Sequence, residues 1–181
     1  MKPALRHGLV VLVVVAAAGA GALTRQTLDR TGAPPPSAQA PASQFLSLIL
    51  PDTQGTPQAL AQWHGQVVVA NFWATWCPPC RTEIPAFARI SERYAGQGVQ
   101  FLGISIDTPA KVEAFQKEAG VPYPLLIGSP ETLELSARLG NHAQALPFTA
   151  IFDQGGRLRH VRLGTLSESD LEGKIRSLLS P

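Results

Sequence analysis

Cysteine is scarce in this chain: its 181 residues include two, Cys77 and Cys80. Two thiols cannot build the multi-bridge framework of a small secreted domain or a four-thiolate zinc site, so whatever they do, they do as a pair. An excess of one charge is missing too. The first 44 residues carry four basic groups and one acid, and the rest carry eleven basic groups against twelve acids, which leaves the larger part near neutral. Without a basic face or a Lys/Arg tract, the chain cannot supply the phosphate contacts on which nucleic-acid affinity rests, and that class of partner is excluded. The length suits one compact domain rather than two.

The apolar content is unevenly spread. Lys2 and Arg6 precede an uncharged stretch from His7 to Thr24, nearly all Val, Leu, Ala and Gly between Leu9 and Leu23. As a helix, those 18 residues would span ~27 Å, close to the ~30 Å hydrocarbon thickness of a bilayer. Residues 1–30 therefore read as a membrane anchor. A removable export signal is the alternative, with Ala18-Gly19-Ala20 or Ala20-Gly21-Ala22 as the small-residue cleavage pattern. Leading basic residues favour a cytoplasmic amino terminus and an exported remainder. Between Thr31 and Gln44 lie four prolines, four alanines and no charge, a composition too poor in large apolar groups to offset the entropy of ordering. Residues 31–44 read as a linker reaching roughly 40 Å when extended, with the domain beginning at Phe45.

From Phe45 to Pro181, short apolar runs alternate with amphipathic stretches, which predicts an α/β domain built on a mixed sheet. Val67–Phe72 has the length and continuity of a central strand covered on both faces. A helix follows, with Ile84, Phe87, Ala88 and Ser91 on its stripe. It is bent but not ended at Pro85, and it stops at Gly96 and Gly98. Val99–Ile106 is a second buried strand. Thr108 then caps a helix starting at Pro109, and Gly120 ends it. Leu125–Ile127 is a short strand, and Ser129-Pro130 opens a helix that turns Leu135 and Leu139 inward. Phe148–Asp153 and Arg157–Leu163 pair as a hairpin across Gln154-Gly155-Gly156. Ser167 and Asp170 form a capping box for a final helix that buries Leu171, Ile175, Leu178 and Leu179.

The cysteines sit in Trp73-Ala74-Thr75-Trp76-Cys77-Pro78-Pro79-Cys80, between the buried strand and the first turn of the helix. Unpaired amides and the positive end of the helix dipole stabilise an anion there, so the Cys77 thiolate is favoured and its pKa should fall below the free value of ~8.5; a fall to roughly 7 would raise the thiolate fraction at neutral pH from about 3% to about half. Cys80 lies one turn on and is better covered. That asymmetry assigns attack on a partner's disulfide to Cys77 and resolution of the mixed disulfide to Cys80. A stabilising crosslink is disfavoured, because so short a loop removes little unfolded-state entropy. Half of a zinc site is disfavoured as well, since His64, His142 and His160 show no ligand spacing. A Cu(I)-binding metallochaperone module using both thiolates and one distant histidine stays open, because thiolates suit Cu(I). Pro78 and Pro79 lack two first-turn donors and so limit how many amides reach the sulfur.

The segment Asn71-Phe-Trp-Ala-Thr-Trp-Cys-Pro-Pro-Cys-Arg-Thr-Glu-Ile-Pro85 resembles the active-site segment of thioredoxin-fold thiol-disulfide oxidoreductases. Within them it is most similar to the membrane-anchored TlpA/ResA-like branch, which includes thiol reductants of cytochrome c maturation. The resemblance covers Phe45–Pro181 and includes the extra strand and helix at about Leu125–Gly140 that this branch inserts. It implies a thioredoxin fold with that short β-α insertion, and an anchored enzyme on the periplasmic or extracytoplasmic face of the inner membrane. It implies a redox-active Cys77–Cys80 pair with no other cofactor and no metal. It also implies a client protein with a disulfide or cysteine pair, a membrane electron donor of the DsbD/CcdA type, and a monomer. A general oxidant of the DsbA kind would carry a much larger helical insertion.

Further roles come with the match. Leu146-Pro147 should be cis, its backbone pairing with an extended substrate segment, although residue type alone would favour an ordinary trans proline opening a strand. Trp76 should shield the nucleophile and offer an apolar contact surface, while Trp73 belongs to the core. Asn71 stands where cytosolic thioredoxins resemble one another in having a buried acid. Glu83, three residues after Cys80, matches an acid that reductants of this branch carry near the disulfide and would take the missing proton acceptor's place. The residues alone leave it equally a surface glutamate complementing the helix start. Arg81 reads as a solvated helix residue.

Overall fold

The computed structural model describes residues 31–32 and 38–179. The segment read as anchor or signal (1–30) and the proline run at 34–36 lie outside the described residues. In chain order the elements are β1 (Thr31–Gly32), α1 (Gln39–Leu46), β2 (Ile49–Pro51), β3 (Pro57–Ala59), a 3-10 turn (Leu60–Trp63), β4 (Val67–Trp73), α2 (Pro78–Arg93), β5 (Val99–Ser105), α3 (Pro109–Ala119), β6 (Leu125–Ile127), α4 (Pro130–Arg138), β7 (Phe148–Phe152), β8 (Leu158–Leu163) and α5 (Glu168–Leu179).

One sheet has the order β1-β8-β7-β4-β5-β6, and β2 pairs with β3 in a small second sheet. The β4, β5 and β6 strands run parallel, while β7 and β8 pair antiparallel. Side chains alternate across a strand, so β4 feeds two cores. Val67, Val69 and Trp73 join residues of α2, α3 and α5 on one face. Val68, Ala70 and Phe72 join residues of α1, the 3-10 turn and α4 on the other. Burial on both faces is why this stretch is a continuous apolar run instead of an alternating one.

Ordered structure begins before Phe45. The helix α1 lies in the stretch read as linker, with Ala38, Ala42 and Phe45 fully buried. Pro41 falls in the first turn, where an N–H has no intrahelical acceptor to lose. Alanine gives up no side-chain entropy and lets the helix lie close to the sheet. Phe45 stacks on Phe152 at 5.5 Å, and the Gln39 amide donates to Leu158 O and accepts from Leu158 N, both at 3.1 Å. These tertiary contacts override a composition that by itself favours an extended linker.

Gly103 lies opposite Asn71 in the β4–β5 register and permits a close approach. A Cβ there would fall 2.4 Å from Leu125 Cδ2 and 3.1 Å from Trp73 Nε1, and both neighbours are buried. Gly103→Ala is expected to destabilise the fold by about 1–3 kcal/mol through overpacking, read as a lower urea midpoint. An unchanged midpoint would show that Leu125 repacks freely.

Candidate active site

Where β4 ends, the chain turns into α2 with Cys77 as its N-cap residue in an extended conformation. Pro78 and Pro79 occupy the first two helical positions and have no N–H. Cys80 thus offers the first amide of the helix, and it donates to Cys77 Sγ at 3.3 Å. The two cysteines form a disulfide with Cα atoms 5.3 Å apart. Cys80 is fully buried, and the pair's residual exposure, 4%, belongs to Cys77.

Around the pair, Trp73 is fully buried and Trp76 is 62% exposed. With Thr75, Pro78 and Arg81, Trp76 lines a shallow hollow of about 230 Å³. The Arg81 guanidinium lies 5.8 Å from the centre of the Phe115 ring, so its cationic head rests on an aromatic of the α3 core. The Leu146–Pro147 peptide is cis. Since Phe72 pairs with Phe148, the next step of the register sets Pro147 opposite Trp73, at the end of β4 that leads into the cysteines.

Glu83 is not at the surface. It is 4% exposed on the buried stripe of α2, with Cys80, Ile84, Phe87 and Ile90, one turn behind Cys80. Oε1 accepts from Asn71 Nδ2 at 2.8 Å, and Oε2 accepts from Leu166 N at 3.0 Å. Asn71 Nδ2 also donates to Thr149 Oγ1 at 3.1 Å, while Asn71 Oδ1 is buried with no hydrogen-bond partner among the described residues. Burial pushes the Glu83 carboxyl up to about 7, against the lowering effect of the Leu166 and Asn71 donors and the Arg162 charge. The Tyr123 phenol is likewise raised, first by burial and then by Glu83. The sequence signal for this depth was the spacing: Glu83 lies three residues after Cys80 and four before Phe87, on the apolar side of the helix.

Two further side chains shape the loops of the site, and sequence reasoning did not single them out. Asp107 follows β5, accepts from the Thr75 hydroxyl of the cysteine loop, and accepts from Thr108 N at 2.8 Å. Burial alone would raise its pKa, but the bonds from Thr75 and Thr108 and the Lys111 charge hold it below the usual carboxylate range. Asn141, fully buried, bonds both main-chain groups of Ala145, just before the cis peptide. Among the described residues, no three His, Cys, Asp or Glu side chains converge on a point that could hold a metal ion.

Because the folded-state pKa of Glu83, about 7, exceeds its ordinary 4.5, the folded protein holds this proton more tightly than the unfolded chain. The resulting stabilisation is complete below pH ~4.5 and is lost as pH rises through about 7, on the order of 3 kcal/mol. Glu83→Gln is expected to remove that slope, so the difference in unfolding free energy between variant and parent should shift in the variant's favour from pH 4.5 to pH 8. A constant difference across this range in urea titrations would show that Glu83 titrates normally.

The Redoxin family profile matches residues 32–175. The chain is 29% identical to the thiol-disulfide oxidoreductase ResA of Geobacillus kaustophilus, over 93% of this chain and 92% of that protein. It is 31% identical to ResA of Bacillus subtilis, over 68% and 67%. Among solved structures, a thiol:disulfide interchange protein of the thioredoxin family from Chlorobium tepidum superposes with a TM-score of 0.69 at 28% identity, covering 74% of this chain and 94% of that one. A secreted thiol-disulfide isomerase from Corynebacterium glutamicum gives 0.66 at 26%, covering 74% and 83%. With its cysteine pair capping α2 on this sheet, the chain belongs to the Redoxin family, among the ResA-like, thioredoxin-fold thiol-disulfide oxidoreductases.

Proposed function

We propose that the protein is an exported, anchored reductant of specific protein disulfides, cycling between the Cys77–Cys80 disulfide and the dithiol. The observation that carries this reading is the cysteine pair at the start of α2, with Cys77 as cap and Cys80 beneath it. In the dithiol form the Cys77 thiolate attacks one sulfur of a client disulfide, forming a mixed disulfide and releasing the client's other sulfur as a thiolate. Cys80 gives up its proton and attacks Cys77 Sγ. The Cys77–Cys80 disulfide forms, the second client thiolate leaves, and two electrons have passed to the client. Glu83, one turn behind Cys80 and with a pKa of about 7, is the acceptor for that proton and can return it when the pair is reduced again, since an acid–base group works best near the operating pH. The exposed Trp76 indole and the edge at Leu146-Pro147 receive the client segment.

A reductant needs electrons, and the family resemblance supplies the class of donor: a membrane protein of the DsbD/CcdA type. The same resemblance makes clients of the cytochrome c maturation kind the leading candidates. The basic and apolar segment at residues 1–30 and the likeness to a secreted thiol-disulfide isomerase support placement on the extracytoplasmic face. The protein acts as a monomer and without a further cofactor.

Cys77→Ser is expected to reduce insulin-disulfide exchange to background. Cys80→Ser should accumulate mixed disulfides that separate from the client only on reduction, because the resolving step is gone. Non-reducing electrophoresis of cells expressing Cys80→Ser, followed by identification of the captured protein, tests both the roles and the client class. Capture of nothing would overturn the assignment of Cys77 and Cys80. Alkylation trapping of the unsubstituted protein should find the pair reduced in growing cells, and a fully oxidised pair would reverse the proposed direction.

A further inference from the structure

The loop that carries the cis peptide is held from one side by a single buried amide. The Asn141 side chain is fully buried. Its Oδ1 accepts from Ala145 N at 3.0 Å, and its Nδ2 donates to Ala145 O at 3.0 Å. The same Nδ2 donates to Ser136 Oγ at 3.2 Å, and Ser136 Oγ donates in turn to Leu133 O at 2.6 Å within α4. Asn141 O accepts from Gln144 N at 2.7 Å, which closes the turn. Gln144 sits at φ 47, in the left-handed region that a residue with a side chain disfavours, so the turn needs outside bonds to keep its shape.

The two groups that Asn141 occupies are those of Ala145. Those of the next residue are left open: among the described residues, neither the N–H nor the C=O of Leu146 has a main-chain partner. Leu146 itself is half-buried and rests against both cores. Asn141 therefore fixes where a free main-chain edge begins, and Ser136 connects that edge to the β6–α4 unit.

Resting on the oxidoreductase reading above, we propose that Asn141 is a positioning residue for protein substrates: through it, α4 sets the Leu146 main-chain edge at which an extended client segment pairs. An extended polypeptide needs both groups of Leu146 aligned. A small disulfide needs only the Cys77–Cys80 pair and makes no use of this edge. Losing Asn141 should then separate recognition from chemistry. Ala145 is exposed, so water can replace the lost bonds and the chain can still fold.

The test uses the full-length protein with insulin as the protein disulfide, dithiothreitol re-reducing the Cys77–Cys80 pair at each turnover, and, as the small disulfide, dithiobis(nitrobenzoate) in a single turnover of the pre-reduced protein with no other thiol present. For Asn141→Ala the expected result is a KM for insulin raised about tenfold with kcat within about twofold, and a small-disulfide rate within about twofold of the parent. Asn141→Asp keeps the acceptor for the Ala145 N–H but loses the donor, and should raise KM about threefold. Ser136→Ala, which removes the outer support only, should move KM in the same direction by less than Asn141→Ala. Equal losses on both disulfides, a fall in kcat at fixed KM, or a parental KM in Asn141→Ala would each overturn the proposal. Failure of the unsubstituted protein to exchange with either disulfide would instead strike the oxidoreductase reading, so the two failures are distinguishable.

Discussion

The chemistry of the site depends on one amide. A helix start ordinarily offers several unpaired N–H groups to whatever caps it, but in α2 the first two positions are prolines, and the donor that reaches Cys77 Sγ is Cys80 N. The residue whose sulfur caps the helix and the residue one turn on are thus the two ends of one short contact, Cys77 through its sulfur and Cys80 through its main-chain N–H. In the dithiol form proposed above, the same geometry would place the Cys77 sulfur at the positive end of the helix dipole, with that one directed hydrogen bond to stabilise its charge. Pro78 and Pro79 fix φ on both intervening residues, which holds the cap stiff while limiting how strongly it can favour the anion.

Beneath that contact lies a carboxyl in the core. A buried carboxylate is costly unless it is bonded, and Glu83 receives one bond from β4 through Asn71 and one from the segment before α5 through Leu166. These donors compensate only part of the desolvation, so the group titrates near neutrality and does not remain permanently charged. The arrangement also gives Asn71 its role. An amide at that position donates to the carboxyl of a helix residue, where an acid would have competed with it for the same proton.

Side-chain amides recur as substitutes for strand pairing. Gln39 bonds both main-chain groups of Leu158 to hold α1 against the start of β8, and Asn141 does the same for Ala145 before the cis peptide. In each case an Asn or Gln offers one donor and one acceptor at the spacing of a single residue's N–H and C=O. Irregular chain next to the sheet is thereby kept in place without extending a strand. The Asp107 carboxylate serves the cysteine loop in a related way through Thr75.

Much of the framework was legible in the residues themselves. The continuous run Val67–Phe72, the Thr108-Pro109 and Ser129-Pro130 helix starts, the glycine turn between β7 and β8 and the Ser167 cap are local signals, and each marks an element that forms where it was expected. The segment around the cysteines identified the fold and the reaction class. The α1 helix was not legible, because its Pro/Ala-rich sequence has no strong propensity and gains order only from Phe45 stacking on Phe152 and from Gln39 reaching Leu158. The β2–β3 pair, three residues a side with Leu50 as its buried member, was too short to show a period. Sequence also left Glu83 between surface and core, since spacing puts it on a stripe but cannot say that donors from β4 and from Leu166 meet it there. What the sequence alone determined is where β4 to β8 and α2 to α5 fall, a consequence of near-neighbour sterics and hydrogen bonding, and that the two thiols act as a pair, since there is no third cysteine. What tertiary structure decided is which polar groups lose their water, because that depends on partners far apart along the chain, 83 positions for Glu83 and Leu166 and 119 for Gln39 and Leu158.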